Sequence, residues 1–277
     1  MKKQLLGMNV LSGWGESFES SVSYLRQAGF DACFTLWEPD SAVMDLCANT
    51  VAKEGLIYQS LHAPFHKVSC LWEDEGEAGD AYLAQLLSCL RDANRLGIPI
   101  VVVHPIIGMD RHTPTELGAR RYAKLVEEAE RLKVCVAFEN LEGEEYLALL
   151  MERFGDSSAV GFCWDTGHEL CYNEAKDMLA LYGKTLVATH LNDNMGRTDP
   201  TVNITWHDDA HMLPFDGIAD WAGIMSRLRR ENYQGVLTFE LKSTNNPGRH
   251  THDAYASWTM EDFYRHSFER ALRVASL

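Results

Sequence analysis

Short apolar segments alternate with longer amphipathic segments along the whole 277-residue chain, and this alternation limits the fold more than any other feature. Eight segments have the pattern of strands, at 5–10, 32–37, 57–62, 98–104, 134–139, 160–165, 186–190 and 236–240. Eight segments have helical periodicity, at 18–28, 41–54, 81–96, 114–132, 144–154, 174–182, 218–230 and 260–274. This regular alternation indicates parallel βαβ units. It predicts a (β/α)₈ TIM barrel, a single α/β domain over residues 1–277, with a doubly wound sheet as the alternative.

The pattern within the strands also favours a barrel. Successive side chains of a strand point to opposite faces. In the fifth, sixth and eighth strands, one face carries the smaller side chains and ends in an acidic residue. These sets are Cys135, Ala137 and Glu139, then Gly161, Cys163 and Asp165, and then Val236, Thr238 and Glu240. We expect the bulkier face to pack under the helices and the smaller face to line a lumen that opens into a site.

The charge of the chain disfavours several classes of partner. Its 40 acidic residues against 25 basic residues give a formal net charge of −15. Proteins that bind nucleic acid normally carry a basic face, because neutralising phosphates drives their affinity. We therefore expect neither nucleic acid nor an anionic membrane as a partner, and a negative charge of this size also favours solubility.

The seven cysteines are odd in number, and none belongs to a CxxC pair. This pattern is typical of reduced thiols rather than of a disulfide framework. The apolar stretch near the N-terminus is short and is interrupted by Gly7 and Asn9, so we read neither a signal peptide nor a membrane span. The sequence thus predicts a cytoplasmic protein. It leaves the oligomeric state open, with a homo-oligomer as one option.

Six consecutive strands end on a histidine or an acidic residue. These residues are His62, His104, Glu139, Asp165, His190 and Glu240. A barrel gathers the C-terminal ends of its strands into one ring, where the active sites of this fold lie. Imidazole nitrogens and carboxylate oxygens bind Zn²⁺, Mn²⁺ and Co²⁺, and we expect Mg²⁺ less. One such residue alone would more often be solvated than bound, but six in succession predict a divalent metal site at the barrel mouth.

Three further side chains come near this ring by their spacing. His168 lies three residues after Asp165, where a turn can bring it back towards the metal. Asp209 and His211 form a D-x-H pair in the long loop 191–217, and an alternating pair can present both side chains to one ion. We take all three as candidates for additional metal or substrate contacts, with solvated loop residues as the alternative.

Long loops follow strands three, seven and eight, and long structured loops in compact domains are often functional. The loop 67–80 is acidic, and the loop 241–257 begins next to the last strand. Lys242 lies two residues after Glu240 and so tends to share its face. It would either polarise a substrate oxygen or pair with an acidic side chain.

At these residues the chain resembles the xylose isomerase-like TIM-barrel superfamily, specifically its sugar phosphate isomerase and epimerase group. The resemblance covers nearly the whole chain and depends on an ordered set of motifs, LHAPF, VVVHP, FEN, DTGH, HLNDN, DAHMLPFDGIADW and FELK. It is similar to enzymes of the D-tagatose 3-epimerase type, in which a Glu, Asp, His, Glu quartet binds Mn²⁺ or a similar ion. The resemblance implies this quartet at Glu139, Asp165, His190 and Glu240.

The resemblance also implies a reaction on a small keto sugar or a related polyol. The two glutamates of the family exchange protons with the substrate, which points to Glu139 and Glu240. The cation would act as a Lewis acid that stabilises an enediolate. By the same resemblance, His168 and Arg197 hold substrate oxygens. The first hypothesis is therefore a metal-dependent sugar isomerase or epimerase with a small carbohydrate as partner, and the same chemistry can run as elimination in a sugar lyase or dehydratase.

The superfamily also contains endonuclease IV, a trinuclear zinc phosphodiesterase, and the chain is similar to it at His62, His104, Asp209 and His211. Phosphoester hydrolysis is therefore the second hypothesis, with His168 helping to hold an extra ion. It accounts for the additional histidines. It does not account for the negative charge, which would repel a DNA backbone. The third hypothesis is a barrel that retains the site without turnover.

Overall fold

Eight parallel strands form a nearly closed barrel in the part of the chain that the structure describes. The structure is a computed structural model, and it describes residues 3–73, 75–109, 113–197 and 203–277. The strands are β1 Leu6–Asn9, β2 Ala32–Leu36, β3 Ile57–His62, β4 Ile100–Val103, β5 Cys135–Glu139, β6 Val160–Asp165, β7 Leu186–His190 and β8 Leu237–Phe239. Each predicted strand segment contains one of these strands. The TIM barrel is therefore confirmed, and the doubly wound sheet is not adopted.

Helices connect the strands on the outside of the barrel. Those of the described residues are α1 Phe18–Ala28, α2 Ser41–Lys53, α3 Cys70–Glu73, α4 Glu77–Leu96, α5 Glu116–Leu132, α6 Glu144–Phe154, α7 Thr166–Cys171, α8 Met178–Tyr182, α9 Trp221–Arg230 and α10 Met260–Ala275. Short 3₁₀ turns occur at Gly183–Thr185, Trp206–Asp208 and Asp253–Tyr255. Among these described helices, none combines the length and the apolar character that a membrane span requires.

The predicted helix 174–182 is wrong in its first half. The backbone is left-handed at Glu174 and Ala175, with φ of 52° and 58°, and such angles end a right-handed helix. Helix α7 therefore stops before them. A new helix, α8, starts after Asp177, whose side chain caps it by accepting a hydrogen bond from the Ala180 amide.

The predicted loop 67–80 is also not a single loop. It contains the short helix α3 and the first turn of α4. Glu77 and Asp80 therefore lie at the N-terminus of a helix, where the helix dipole favours acidic side chains. Trp72 of α3 is buried, and its indole N–H donates to the carbonyl of Pro105 over 2.7 Å. Two of the acidic side chains in this segment, Glu77 and Asp80, therefore stabilise the start of helix α4.

The barrel closes where β7 meets β8, and this seam has few ladder bonds. The other neighbouring strands pair in the parallel order β7-β6-β5-β4-β3-β2-β1-β8. Across the seam, a single bridge joins Leu191 to Phe239. The hydroxyl of Thr189 accepts a hydrogen bond from the Thr238 amide over 3.0 Å, so a side chain takes over part of the backbone pairing.

The core has two separate layers, as the alternation within the strands predicts. The larger layer lies between strands and helices and includes Phe138, Phe162 and Trp164. The smaller layer lies inside the barrel and is formed by Val102, Ala137, Cys163 and Ala188. These small side chains fill the lumen below the strand ends. The lumen is thus packed, and the space for chemistry is confined to its C-terminal mouth.

Candidate metal centre

The ends of four strands bring four side chains together at the barrel mouth. Glu139, Asp165, His190 and Glu240 each offer a donor atom, and these four atoms lie within 4.8 Å of one another. His190 Nδ1 lies 2.9 Å from Glu139 Oε1 and 3.1 Å from Glu240 Oε2. Glu139 is fully buried, whereas the side chain of Glu240 is 19% exposed. We call these four residues the quartet.

Two asparagines hold Asp165 in place, and neither was among the predicted site residues. The side chain of Asn192 donates to both carboxylate oxygens of Asp165, over 3.1 and 2.9 Å. Asn140 accepts from the Asp165 amide and donates to its carbonyl. The signal was present in the motifs, because Asn140 directly follows Glu139 in FEN and Asn192 lies two residues after His190 in HLND.

A second donor group lies beside the quartet and is formed by His168, Asp209 and His211, which we call the loop triad. Asp209 Oδ2 lies 3.2 Å from His168 Nε2 and 2.8 Å from His211 Nε2. His168 is brought there by helix α7, because the carboxylate of Asp165 accepts a hydrogen bond from the His168 amide and so starts that helix. The turn expected from the DTGH spacing is therefore present.

A third donor group joins His62, His104 and Glu139, and we call it the histidine group. His104 Nε2 lies 3.1 Å from His62 Nε2 and 3.2 Å from Glu139 Oε2. Glu139 therefore belongs both to the quartet and to the histidine group. The structure thus brings together all nine of the predicted ligand-type residues, in three adjoining sets.

Backbone carbonyls orient three of these histidines. The Nδ1 atoms of His62, His168 and His211 lie 2.8, 2.9 and 3.2 Å from the carbonyl oxygens of Ala63, Asn140 and Glu240. A carbonyl can only accept, so each Nδ1 carries a proton, and each Nε2 faces its donor group, where it could bind a cation once it is unprotonated. Histidines that bind metals are typically held from behind in this way.

The loop that carries the D-x-H pair is held by two further residues that the sequence reasoning missed. The Asn246 amide donates to the carbonyl of Asp209 over 2.7 Å. The buried carboxylate of Asp193 accepts from the backbone amides of Phe215 and Ala219 and from the indole of Trp221. Asp193 occurs in the quoted motif HLNDN, but its partners lie more than 20 residues away in sequence, and no local pattern identifies them.

The two predicted substrate-binding cations lie at the rim of this region. Lys242 is half-buried, and its ammonium group donates to the side chain of Asn246, so its partner is an amide and the expected pairing with an acid is not found among the described contacts. Arg197 is exposed, and its guanidinium lies 3.4 Å from the carboxylate of Glu174. Their predicted contacts with substrate stay predictions.

The residues present fit a bound cation. Six buried side-chain polar atoms have no hydrogen-bond partner among the described residues. Five belong to the donor groups or to Asn192, namely Nδ1 of His104, Oε2 of Glu139, Nε2 of His190, Oδ1 of Asn192 and Oδ1 of Asp209, and the sixth is Nε2 of His252. A buried polar atom without a partner costs about 1–3 kcal/mol of stability. Several such atoms at one end of the barrel therefore call for an explanation. Two of these atoms are carboxylate oxygens of different donor groups, and a positive ion bound at each group would satisfy the oxygen there.

Burial at the barrel mouth disfavours the charged forms of the ionisable side chains. It raises the pKa of Asp165 to about 6 and lowers the pKa of His104 to about 4. For Asp209, burial would raise the pKa, but the neighbouring His211 and His168 hold it well below its usual range. A divalent cation would keep the carboxylates ionised and the imidazoles neutral, which is the state in which both bind metal.

Comparisons with known proteins agree with the fold. A model of the family "Xylose isomerase-like TIM barrel" matches residues 22–262. An uncharacterised protein, y4fM, of Sinorhizobium fredii (strain NBRC 101917 / NGR234) is 29% identical over 270 residues, with 82% of each chain covered. Among solved structures, a D-tagatose 3-epimerase-like protein superposes with a TM-score of 0.72 at 19% identity, covering 98% of this chain and 97% of the other. The 3-keto-D-glucoside 4-epimerase of E. coli superposes with a TM-score of 0.71 at 16% identity, covering 99% and 100%. The chain therefore belongs to the xylose isomerase-like TIM barrel family.

Proposed function

We propose that this protein is a divalent-metal-dependent isomerase or epimerase that acts on a small sugar or a sugar-like ketone or polyol. The observation that carries the proposal is the quartet, in which Glu139 and Glu240 both face the same nitrogen of His190. Because both carboxylates lie close to the same atom, each could exchange a proton with the same carbon of a bound substrate. The family membership supports this reading, and so do the epimerases named among the similar structures.

Mixed nitrogen and oxygen donors suit Mn²⁺, Co²⁺ or Zn²⁺ better than Mg²⁺. Bound to the quartet, such an ion would supply Lewis acidity that favours loss of a proton next to a carbonyl group. Glu240 is the more accessible carboxylate and would take this proton, and Glu139 would return one to the opposite face of the same carbon. Glu139 would have to start protonated for this. The transfer then inverts that carbon and leaves Glu240 protonated and Glu139 ionised, and exchange of protons with solvent would restore both. His168, Lys242 and Arg197 would hold substrate oxygens.

Proton exchange with solvent tests this proposal. Ketoses, inosoles and keto-glycosides, free and phosphorylated, are incubated with the Mn²⁺-loaded protein in D₂O and followed by NMR. We expect deuterium at a carbon next to a carbonyl group, and an elimination would appear in the same spectra as the loss of a hydroxyl group. Glu139→Gln and Glu240→Gln should each lower the rate by about 100-fold or more.

The matched control is Glu38→Gln, because Glu38 is an exposed glutamate after β2. Its rate should equal that of the unmodified chain. If Glu139→Gln and Glu240→Gln both kept full activity on an identified substrate, the assignment of the acid and the base would be wrong.

A second candidate function is favoured by the loop triad and the histidine group. Together with the quartet they could hold up to three ions, an arrangement suited to hydrolysing a phosphoester. The net charge of −15 disfavours a nucleic-acid substrate for such an enzyme. Three zinc ions per chain together with cleavage of bis(p-nitrophenyl) phosphate would support this candidate, and one ion without cleavage would support the epimerase.

The cellular compartment, the domain boundaries and the oligomeric state of the protein are proposals as well. All seven cysteines are free, which supports a reducing compartment such as the cytoplasm. The domain boundaries at 1–277 and a homo-oligomeric state are predictions of the same kind, and gel filtration with light scattering would test the latter.

A further inference from the structure

Tyr172 carries a hydroxyl group that forms no hydrogen bond within the described part of the chain. Seven of the ten tyrosines form a hydrogen bond through the side-chain oxygen, namely Tyr58, Tyr82, Tyr122, Tyr146, Tyr233, Tyr255 and Tyr264. The side chain of Tyr172 is partly exposed, and no such bond joins it to another described residue. Tyr24 and Tyr182 share this property, but among the described contacts it is Tyr172 whose ring packs on a member of the donor groups.

The end of helix α7 brings this side chain beside the loop triad. Tyr172 lies four residues after His168, so the two side chains share one face of the helix. Their rings are in contact, with centroids 5.2 Å apart and an angle of 33° between the planes. The Tyr172 amide donates to the His168 carbonyl over 2.7 Å, which keeps Tyr172 in the last helical turn. The phenol therefore lies next to the imidazole that faces Asp209.

The backbone at Tyr172 is fixed to the loop that follows β5. Asn173, the next residue, is buried, and its side chain donates to the carbonyl of Leu141 over 2.9 Å. The same side chain accepts a hydrogen bond from the amide of Asn140 over 3.0 Å. Tyr172 is thus presented by a well-anchored segment, so a ligand that bonds to its hydroxyl would lose little free energy in ordering it.

The surroundings of the Tyr172 hydroxyl are acidic. Burial raises the pKa of this phenol well above its usual range, and the carboxylates of Asp209, Glu142 and Asp165 add to the effect. A tyrosine hydroxyl is a donor at neutral pH even with an ordinary pKa of about 10, so the relevant point is that carboxylates lie near it. A phosphate group beside these carboxylates would be repelled, whereas an uncharged hydroxyl or carbonyl group would not.

We propose that Tyr172 is a substrate-binding residue, which donates its hydroxyl hydrogen to an oxygen on an uncharged part of the substrate. The inference rests on the proposed function, because the quartet would hold the reacting carbons of the same molecule. Tyr172 lies outside all three donor groups and takes no part in proton transfer. Its hydrogen bond would form equally with the substrate and with the transition state, so it would lower KM and leave kcat nearly unchanged.

The variant Tyr172→Phe removes the hydroxyl and keeps the ring that packs on His168. With a substrate found by deuterium exchange, we expect KM to rise about 3- to 10-fold, as for the loss of one hydrogen bond, and kcat to stay within about twofold. Its metal content and melting temperature should equal those of the unmodified chain. The matched control is Tyr182→Phe, because Tyr182 packs on Phe162 in the layer between strands and helices. Its KM should not change.

A second measurement needs no turnover. The Zn²⁺-loaded protein is labelled with 3-fluorotyrosine, and the ¹⁹F signals of Tyr172 and Tyr182 are assigned as those missing from the two phenylalanine variants. The probes are the ketoses, inosoles and keto-glycosides of the exchange screen, free and phosphorylated, with inorganic phosphate as a separate arm. We expect at least one unphosphorylated probe to shift the Tyr172 signal. The Tyr182 signal should stay in place with every probe, and inorganic phosphate should shift neither.

The outcomes separate this inference from the function on which it rests. If no unphosphorylated probe shifts the Tyr172 signal, or if Tyr172→Phe leaves KM unchanged, the binding role of Tyr172 is refuted. A shift caused only by inorganic phosphate or phosphorylated probes would also refute it, because the bound group would then be charged. If an unphosphorylated probe shifts the signal but no probe takes up deuterium, the proposed function fails and the binding role of Tyr172 is supported.

Discussion

Asp165 has three tasks at once, and they connect the parts of the site. It is the last residue of β6, a member of the quartet, and the residue whose carboxylate starts helix α7 by accepting from the His168 amide over 2.7 Å. Asn192 donates to both of its oxygens. Any change in the position of this carboxylate would therefore move His168 as well, so that the quartet and the loop triad are mechanically coupled.

Glu142 is a buried carboxyl group near the mouth that belongs to none of the three donor groups. Its side chain accepts a hydrogen bond from the amide of Gly108 over 2.5 Å and so joins the loops that follow β4 and β5. Burial raises the pKa of Glu142 above its usual range. Because the folded state holds this proton more tightly than the unfolded chain, the contribution of Glu142 to stability is fully present at low pH and is lost as the pH rises through the raised pKa.

The variant Glu142→Gln should therefore be more stable than the unmodified chain at about pH 7.5, because it keeps an acceptor for Gly108 without the buried charge. We expect its melting temperature to be higher by about 2 °C, and the difference should vanish below about pH 4.5. Melting in the presence of a chelator measures this, with the exposed Glu38→Gln as control. A lower melting temperature for Glu142→Gln at pH 7.5 would contradict the assignment.

At the scale of elements, the pairing of β7 with β8 depends on the side chain of Thr189, which accepts a hydrogen bond from the Thr238 amide. Thr189→Val keeps the shape of the side chain but leaves the buried Thr238 amide without its acceptor. We expect this to lower the free energy of unfolding by about 1–3 kcal/mol. Thr189→Ser keeps the acceptor and loses one methyl group, at about 1 kcal/mol. Urea unfolding compares the two, and a valine variant as stable as the serine variant would show that the hydroxyl does not hold the seam.

The strands were predictable from the sequence because their buried faces follow a period of two, and all eight predicted segments contain a strand. The helix boundary at 174–177 was not predictable, since the helical pattern continues through Glu174 and Ala175 although their backbone is left-handed. Tertiary context decides such angles. The same holds for the segment 67–80, where the polar composition conceals α3 and the start of α4.

The nine candidate metal ligands were predictable from the sequence, but the residues that hold them in place were less so. Because parallel strands of a barrel end in one ring, the residue types at the strand ends were enough to bring the nine donor residues together. Asn246 and Asp193 were not predictable, because they act on partners 37 and 28 positions away, Asp209 and Trp221. Such supports depend on how long loops fold over the mouth.

At the scale of the whole molecule, negative charge is concentrated where a cation would reduce it. The chain carries −15 in total, and Glu139, Asp165, Glu240 and Asp209 lie together at one end of the barrel. An ion that binds only the folded chain stabilises it by mass action, by about 2.7 kcal/mol at a free concentration 100 times its dissociation constant. A rise in melting temperature with added Mn²⁺, Co²⁺ or Zn²⁺ is therefore expected, and a chelator should reverse it.

The central claim is that the quartet binds a divalent cation, and metal content after dialysis tests it most directly. The unmodified chain and Glu139→Gln are equilibrated with Mn²⁺, Co²⁺ or Zn²⁺, dialysed, and measured by plasma mass spectrometry. Because Glu139 belongs to both the quartet and the histidine group, we predict at least one ion per unmodified chain and a clear loss of ions in the variant. An unmodified chain that retains no divalent ion, or a variant that retains as many as the unmodified chain, would contradict the claim.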